Sequence, residues 1–207
     1  MKIFCLSIYN NNYEKLKKLN LIPVGLGEEN FGSQWLNDKG AQNISNKNKN
    51  FGEYTFHYHL WKNTLINKDY NDWIGFCTYR RFWTNGSKQN VQSFEELNNI
   101  LINKKRSNWE KFDVILGEPL VFKKIKNSKL LKRNIIEVIK KPSVLFKKNT
   151  LMDQFRIFHG SFFLKKSIEL LSSINRSYFI EFLNGYELNP YNMFICKNSK
   201  ILSEFYN

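Results

Sequence analysis

Short apolar runs and one amphipathic stretch alternate along the first half of the chain. Apolar runs bounded by polar residues predict strands at Lys2–Ser7, Leu21–Val24, Asp72–Cys77 and Phe112–Leu116. Before the third run, Phe56, Leu60 and Trp61 recur on one helical face, which predicts an amphipathic helix from about Gly52 to Ile66. The segment Glu28–Asn50 has little periodicity, and a long loop of this kind is usually either functional or disordered.

A second helix is predicted directly after Ser93. This residue suits a helix N-cap, and Glu95 and Glu96 follow it in the first turn, where carboxylates interact favourably with the helix dipole. Strands and helices therefore alternate to about residue 120. The alternation predicts an α/β fold with a mostly parallel central sheet flanked by helices.

From Ser128 onward the pattern becomes mostly helical. Helices are predicted at Leu130–Ile139, Met152–His159, Ile168–Ile174 and Tyr178–Leu183, followed by a strand at Met193–Cys196 and a short terminal helix. Because no repeat or linker divides the chain, the prediction is a single domain over residues 1–207. Its two halves are residues 1–120 and the more helical residues 121–207.

Composition limits the class of protein. The chain of 207 residues is 42% hydrophobic and contains 18 Phe, which suffices for a sizeable core. The first apolar run, Ile3–Ile8, is too short for a signal peptide and no run could span a membrane, so a cytoplasmic protein is expected. Cys5, Cys77 and Cys196 lie far apart in apolar runs and are expected to be buried free thiols.

The net charge of +14 raises the question of a polyanionic partner. The lysines are scattered singly or in pairs along the chain and form no dense tract, so nucleic acid is not the expected partner. A small anionic ligand or an anionic membrane surface explains the sign of the charge equally well.

The most suggestive chemical feature is Tyr79-Arg80-Arg81, directly after a predicted strand. In open α/β sheets, ligands bind beyond the carboxyl ends of the strands, and guanidinium groups bind phosphate with two hydrogen bonds. The alternative is that both arginines are surface residues paired with nearby carboxylates.

The Asn-rich loop Asn43–Asn50 precedes the amphipathic helix. Its amides and backbone N–H groups suit an anion or a sugar, although an exposed polar turn explains the same pattern. Glu53 is expected in the first turn of that helix, where it offsets the helix dipole. His57 and His59 are two positions apart and would point to different faces, so a metal pair is not expected.

Asp153 and His159 are the candidate general bases, with a helix-capping role ranked first for Asp153. The chain has no Gly-rich phosphate loop, no His-Glu-x-x-His and no Asp-x-Asp sequence. A bound diphosphate would then be neutralised by arginine and backbone dipoles, so no cofactor and no divalent metal are expected.

Several motifs together resemble a bacterial family of capsular or exopolysaccharide biosynthesis proteins, taken to be GT-A-type glycosyltransferases. They are Asn43-Ile44-Ser45, Glu53-Tyr54-Thr55, Trp61-Lys62-Asn63, Cys77-Thr78-Tyr79-Arg80-Arg81, Asp153-Gln154-Phe155 with His159, and Tyr191-Asn192-Met193. The resemblance spans almost the whole chain in order. It departs from the family at Gln42, where the family has Asp, and at Thr78, where it has His.

The resemblance implies a GT-A-like domain whose first half binds a nucleotide-diphosphate sugar, with a UDP-linked donor expected. The donor-binding residues it implies are Asn43, Asn48, Glu53, Trp61, Lys62, Tyr79, Arg80 and Arg81, with the two arginines on the diphosphate. Asn192 would lie on the acceptor side, and Asp153 or His159 would deprotonate the acceptor hydroxyl.

The expected reaction is transfer of a hexosyl or galactofuranosyl group to a glycan or lipid-linked acceptor during synthesis of a surface polysaccharide. Basic, aromatic surfaces such as Phe122-Lys123-Lys124 could contact an anionic membrane. Two alternatives stay open: a non-catalytic module that binds polyanions or nucleic acid, and a degenerate transferase that binds the nucleotide without transferring sugar.

Overall fold

The computed structural model describes residues 1–63, 70–86, 91–122 and 126–206. The chain forms two compact units. Unit 1 comprises Met1–Gly117 together with Tyr191–Asn207, and unit 2 comprises Glu118–Pro190. The prediction that residues 1–207 form one domain stays a prediction.

Regular elements follow one another closely along the described chain. The strands are β1 (Lys2–Ser7), β2 (Ile22–Gly25), β3 (Leu36–Asn37), β4 (Ile74–Thr78), β5 (Val114–Leu116), β6 (Leu120–Val121), β7 (Glu187–Leu188) and β8 (Phe194–Cys196). The helices are α1 (Tyr13–Lys18), α2 (Asn48–Phe51), α3 (Tyr54–Asn63), α4 (Phe94–Ile100), α5 (Asn127–Lys140), α6 (Leu151–His159), α7 (Ser161–Glu169), α8 (Ser173–Asn184) and α9 (Ser199–Tyr206).

Unit 1 is built on a six-stranded sheet, as far as the structure describes it, with the order β3-β2-β1-β4-β8-β5. The first four of these strands are parallel, whereas β8 runs antiparallel to both of its neighbours, β4 and β5. Helices flank the sheet, and a run of helices follows it in unit 2. The predicted α/β fold with a mostly parallel central sheet is therefore confirmed.

Both faces of the sheet are covered, because successive side chains of a strand point to opposite faces. In β1, Ile3 and Cys5 join one buried cluster, and Leu6 joins the other. The second cluster also includes Phe56 from α3 and Leu202 from α9. The sheet is thus the core of unit 1.

Unit 2 has much less buried apolar surface. Its buried clusters hold three residues each: Val138, Val144 and Ile157 in one, and Leu151, Leu164 and Leu183 in the other. In addition to the helices α5 to α8, unit 2 contains a two-stranded antiparallel sheet of β6 and β7. Many apolar side chains of these helices remain exposed, including Phe162 and Phe163.

Local signals located most elements of the first half. The strands predicted at Lys2–Ser7, Leu21–Val24, Asp72–Cys77 and Phe112–Leu116 occur as β1, β2, β4 and β5, each within two residues at both ends. The Ser93 hydroxyl accepts a hydrogen bond from the Glu96 N–H at 3.1 Å, so the predicted N-cap of α4 is confirmed. The three cysteines are buried and free, as predicted.

The amphipathic helix expected over Gly52–Ile66 is shorter at its start. It begins at Tyr54, and Glu53 precedes it rather than lying in its first turn. The positive φ of Gly52, 53°, separates it from α2. The end of the prediction, residues 64–66, lies outside the described residues.

The Asn-rich loop is more ordered than expected. A 3-10 helix at Ser45–Lys47 leads directly into α2, so residues 45–51 are helical rather than irregular.

The helix predicted at Ile168–Ile174 is wrong. Helix α7 ends at Glu169 and α8 begins at Ser173. The Ser172 hydroxyl caps α8 by accepting a hydrogen bond from the Asn175 N–H at 3.3 Å. The apolar pattern continues through this break, because exposed Leu170 and Ile174 keep the helical spacing.

Candidate functional site

The strand order of the sheet has a switch point between the parallel strands β1 and β4. From β1 the chain proceeds to β2 and β3 on one side, and then returns to β4 on the other side of β1. In parallel α/β sheets, ligands bind in the crevice that opens at such a point, beyond the carboxyl ends of the two strands. Here those ends carry Ser7, Tyr9 and the segment Tyr79–Arg81.

A tight turn follows β4 and sets the direction of its polar side chains. The Thr78 N–H donates to the Arg81 carbonyl at 3.2 Å, and the Arg81 N–H donates to the Thr78 carbonyl at 3.0 Å. The Tyr79 N–H donates to the Leu6 carbonyl of β1 at 3.0 Å. The sequence Tyr79-Arg80-Arg81 therefore lies where the sequence analysis placed it, at a strand end facing the crevice.

Both arginines are exposed and stack on tyrosines. The guanidinium carbon of Arg80 lies 5.1 Å from the centre of the Tyr79 ring, and that of Arg81 lies 4.0 Å from the Tyr191 ring. Among the described residues neither arginine forms an ion pair. The alternative that they are surface residues paired with carboxylates is therefore not what the structure shows, and both charges are available to an anion.

Tyr9 contributes to the same crevice and was not predicted. Its ring meets the Tyr79 ring edge to face at 5.2 Å. Buried Ser7 fixes its backbone, because the Ser7 hydroxyl donates to the Tyr9 carbonyl and accepts from the Tyr9 N–H. Its position directly after a predicted strand was the available signal, the same one that identified Arg80.

The electrostatic setting of Tyr79 reflects these neighbours. Desolvation raises the pKa of its hydroxyl, and the charges of Tyr9 and Glu53 raise it further, while Arg80 lowers it. Tyr79 therefore stays a neutral hydrogen-bond donor at physiological pH. Glu53, which directly precedes α3, is thus one of the charges that act on Tyr79, and its contact with a donor stays a prediction.

A buried carboxylate supports the loop after β2 and was also not predicted. Asp38 has no solvent-exposed surface, and both of its carboxylate oxygens accept from the Gly27 N–H at 3.2 Å. Gly27 has a φ of 72°, and a Cβ there would lie 3.2 Å from Asn48. Asp38 lies in a segment without periodicity, so only the contact itself reveals its role.

The two asparagines predicted at the donor side hold the loop together. The Asn43 amide donates to the Gly40 carbonyl at 2.6 Å, and its oxygen accepts from the Ser45 hydroxyl at 2.8 Å. The Asn48 amide donates to the Gly52 carbonyl at 2.8 Å and to the Thr55 hydroxyl at 3.0 Å. These bonds use both amide groups within the loop, so their direct contact with a donor stays a prediction.

Trp61 and Lys62 lie toward the other end of α3. Trp61 is eight residues beyond Glu53, roughly 12 Å along the helix axis. Its ring lies 3.3 Å from the Lys62 ammonium and 6.3 Å from the Tyr206 ring of α9. The structure does not bring these two residues together with Arg80.

A cavity of about 210 Å³ opens beside the α3 and α9 face of the sheet in unit 1. Its walls are formed by Tyr54, His57, Val114, Leu116, Tyr191, Asn192, Met193, Phe194, Cys196, Ile201, Leu202 and Phe205. The Tyr54 hydroxyl donates to the Asn192 side-chain oxygen at 2.9 Å across it. Tyr191, which lines this cavity, also contacts Arg81, so Asn192 is close to Arg81 although 111 residues separate the two in the chain.

His57 is buried in the wall of this cavity. Its Nδ1 lies 2.5 Å from the Tyr206 hydroxyl, and its Nε2 has no partner among the described atoms. Desolvation lowers the pKa of His57 to about 4, so the ring is neutral at physiological pH.

In unit 2, Asp153 has a structural role. Thr150 caps α6 by accepting from the Asp153 N–H at 3.2 Å, and the Asp153 carboxylate accepts from the Thr150 N–H at 3.4 Å. The carboxylate also accepts from the Lys141 ammonium at 2.7 Å. The capping role ranked first in the sequence analysis is confirmed, and a role as general base stays a prediction.

His159 is the last residue of α6 and is exposed, with its ring 4.9 Å from the Phe155 ring. Six positions on an α-helix correspond to a rotation of roughly 240°, so His159 and Asp153 leave the helix in different directions. The structure does not bring the two candidate bases together.

No group of three His, Cys, Asp or Glu side chains is arranged to hold a metal ion in the part of the chain that the structure describes. Burial lowers the pKa of His59, while the Asp38 charge and the Gln42 backbone raise it. Metal independence stays a prediction.

A family model described as "Domain of unknown function (DUF4422)" matches residues 2–206. The chain belongs to this family. No curated protein matches its sequence. The prediction of a related bacterial family is thus supported at the level of the family, while its capsule-specific part stays a prediction.

Among solved structures, the chain is similar to one titled "WbbM bifunctional glycosytransferase apo structure". The superposition has a TM-score of 0.51 and 18% sequence identity, and it covers 100% of this chain and 35% of that one. This chain therefore spans about a third of the length of that protein. At this identity the likeness shows the fold, which is one that a glycosyltransferase adopts.

Proposed function

We propose that this chain is a glycosyltransferase that binds a nucleotide-diphosphate sugar between the carboxyl ends of β1 and β4. The observation that carries the proposal is the pair of exposed arginines, without carboxylate partners among the described residues, at the point where ligands bind in such sheets. The shared fold with a glycosyltransferase supports the same reaction class.

In this proposal, Arg80 and Arg81 hold the diphosphate. Guanidinium groups keep their charge and match phosphate oxygens with paired N–H donors. Tyr9 and Tyr79 flank the crevice and offer ring faces and hydroxyls to the base or the sugar. The donor is expected to be UDP-linked, with Asn43, Asn48, Glu53, Trp61 and Lys62 as the further predicted donor residues.

The acceptor is proposed to approach from the cavity that contains Asn192. There the acceptor hydroxyl oxygen would attack the anomeric carbon, the bond from that carbon to the diphosphate would break, and the nucleoside diphosphate would leave. A general base would take the hydroxyl proton, and Asp153 first and His159 second stay the residues predicted for this role. The aromatic walls of the cavity suit the apolar face of a sugar ring.

The product is proposed to be a surface polysaccharide, built by hexosyl or galactofuranosyl transfer to a glycan or lipid-linked acceptor. No helix among the described residues is both long and apolar enough to cross a bilayer. Peripheral contact with the membrane is part of the proposal. Of the proposed contact Phe122-Lys123-Lys124, the two lysines lie outside the described residues.

Direct titration of nucleotides tests the donor site. Isothermal titration calorimetry with UDP, GDP and CMP and their sugars, with and without Mn²⁺, should reveal saturable binding of one nucleotide. Arg80→Ala and Arg81→Ala should each weaken it about tenfold or more, because a charge-assisted hydrogen bond contributes about 1.5 to 3 kcal/mol.

Arg106→Ala is the matched control. Its guanidinium lies over Trp109, which contacts Trp73 at the amino end of β4, opposite the proposed site. Equal weakening by Arg106→Ala would overturn the assignment, and binding that requires Mn²⁺ would overturn metal independence. Absence of nucleotide binding together with salt-sensitive heparin binding would favour the alternative, a polyanion-binding module, which the net charge of +14 supports.

A further inference from the structure

Helix α5 of unit 2 presents a row of aliphatic side chains to solvent. The exposed fractions are 44% for Leu131, 54% for Ile135, 62% for Ile136 and 68% for Ile139. Residues four apart lie above one another on a helix, so Leu131, Ile135 and Ile139 form one continuous stripe with Ile136 beside it. A stripe of this size is costly to leave in water unless a partner covers it.

Among the side chains of α5 that the structure describes, lysines are the other large ones on this exposed face. Lys132 projects between the aliphatic residues, and Lys129 and Lys140 lie along one border of the stripe, as their helical positions require. Among the described side chains of α5, the one carboxylate is that of Glu137, which is half-buried and accepts from the Lys140 ammonium at 3.0 Å. The exposed face of α5 is therefore aliphatic and basic, without acidic residues among its described side chains.

The charge of the whole unit has the same sign. Residues 118–190 contain 14 Lys and Arg against 6 Asp and Glu, so this segment carries +8 of the chain's net +14. Lysine-bordered apolar faces of this kind bind at the interface of anionic bilayers, where aliphatic side chains enter the acyl region and ammonium groups meet lipid phosphates.

We propose that the exposed face of α5 binds the surface of an anionic membrane. The 14-residue helix is about 21 Å long and would lie parallel to the membrane plane. Ile135, Ile136 and Ile139 would enter the apolar boundary, with Lys129, Lys132 and Lys140 at the lipid headgroups. The site lies outside the segment Phe122-Lys123-Lys124, and it does not depend on which sugar the protein uses.

A second copy of this chain fits the face less well. In a symmetric dimer the same patch meets itself, which would place Lys132 and its neighbours of the two copies close together. Like charges at such an interface oppose association. An anionic lipid surface instead supplies the opposite charge along the full length of the helix.

Vesicle sedimentation tests the proposal with the full chain. The partition coefficient is measured on vesicles of phosphatidylcholine alone and on vesicles containing about one-third phosphatidylglycerol, a composition in which the surface charge attracts basic residues. Binding is expected on the anionic vesicles and should weaken severalfold when NaCl is raised, because salt screens the surface charge.

Two variants separate the apolar and the charged contributions. The double variant Ile135→Ser/Ile139→Ser should bind anionic vesicles about tenfold more weakly or worse, since it removes most of the buried aliphatic surface. Lys132→Gln should weaken binding about fivefold, the loss expected for one lysine near an anionic surface. Leu36→Ser in β3 is the matched control, because Leu36 is 48% exposed in unit 1, and it should bind as the wild type does.

Unchanged binding by the double serine variant would overturn the proposal, as would equal binding of the wild type to neutral vesicles at every salt concentration. A dimer in sedimentation velocity that becomes a monomer in the serine variant, without vesicle binding by the wild type, would assign the face to a second copy instead. Should the serine variant not fold, Lys132→Gln and the salt series carry the same test.

Discussion

The two units of this chain treat their apolar residues in opposite ways. Unit 1 buries side chains such as Phe76 and Leu202 completely between the sheet and the helices that pack on it. Unit 2 buries small groups of three residues and leaves Phe146 80% and Leu170 87% exposed. A sheet provides two faces on which helices can bury their apolar stripes, whereas the helices of unit 2 have only each other.

The two units therefore differ in what their surfaces and cores can do. In unit 1 the apolar residues form the buried core on both faces of the sheet, and this sheet positions the arginines and tyrosines at its strand ends. Unit 2 has apolar and basic residues on its surface, and such residues suit contact with an extended anionic surface such as the proposed membrane.

The strongest test removes the largest fully buried side chain of unit 1. Phe76→Ala should lower the free energy of unfolding by about 3 to 5 kcal/mol, because it leaves a cavity among rings such as Phe194, 5.0 Å away. Urea unfolding followed by tryptophan fluorescence reports on unit 1, since all five tryptophans precede residue 118.

The matched change in unit 2 is Phe163→Ala, at a side chain that is 67% exposed. It should alter stability by about 0.5 kcal/mol or less, as surface substitutions usually do. If Phe76→Ala and Phe163→Ala lowered the free energy of unfolding by similar amounts, the contrast between the two units would be contradicted.

The second test uses the pH dependence of His57. Its pKa is about 4 in the folded chain against 6.5 for the free side chain, so the unfolded chain takes up a proton first as the pH falls. The part of the free energy of unfolding that comes from neutral His57 is therefore fully present above pH 6.5, and it is lost as the pH falls from 6.5 to 4. At pH 4 this loss amounts to about 3 kcal/mol.

The free energy of urea unfolding, measured at pH 7 and at pH 4, checks this dependence. The double variant His57→Phe/Tyr206→Phe removes the titrating ring and the hydroxyl that faces it, so its stability should fall less over the same range. A parallel fall in variant and wild type would show that His57 is accessible to protons in the folded chain.

The third test addresses Asp153 in unit 2. Asp153→Ala removes the acceptor of the Thr150 N–H and of Lys141, and it should lower the free energy of unfolding by about 1 to 2 kcal/mol. Far-ultraviolet circular dichroism during urea unfolding measures this loss in the helices.

Asp153→Asn keeps the shape of the side chain and should cost less stability. If Asp153 is also the general base, the Asn variant should lose sugar transfer while its nucleotide affinity is unchanged. Full transfer by the Asn variant would leave Asp153 with the capping role alone.

The last test compares two backbone positions within unit 1. Gly27→Ala should cost about 1 kcal/mol, because residue 27 has a φ of 72° and a Cβ would lie 3.2 Å from Asn48. Gly117→Ala is the control, since nothing lies within 4 Å of a Cβ there. Thermal unfolding of both variants compares the two positions, and equal melting temperatures would contradict a strained turn at Gly27.

The sequence predicted what depends on neighbouring residues. The strand end at Tyr79-Arg80-Arg81, the Ser93 cap and the long helix α5 all follow from apolar spacing and local capping. The break between α7 and α8 was missed because its causes do not disturb that spacing. It depends on the Ser172 cap and on Arg176, which donates to the carbonyls of Ile168, Glu169 and Leu171.

The site was predictable only in part, for the same reason. Arg80 and Arg81 could be identified from their position after a strand, and so could Tyr9. The stacking of Arg81 on Tyr191 joins residues 110 positions apart, and the Asp38 carboxylate meets Gly27 from a segment without periodicity. Contacts of this kind depend on the completed fold, and no local sequence pattern predicts them.

The position of β8 has a consequence for synthesis on the ribosome. Strand β8 lies between β4 and β5 in the sheet, yet it follows both of them in the chain, with unit 2 in between. Until residues 194–196 emerge, the buried strand β4 has an open edge and β5 has no partner in the sheet. An open edge of this kind can pair with other chains. Unit 2 leaves the ribosome before β8 and can complete its own contacts first, after which residues 194–196 would join β4 to β5.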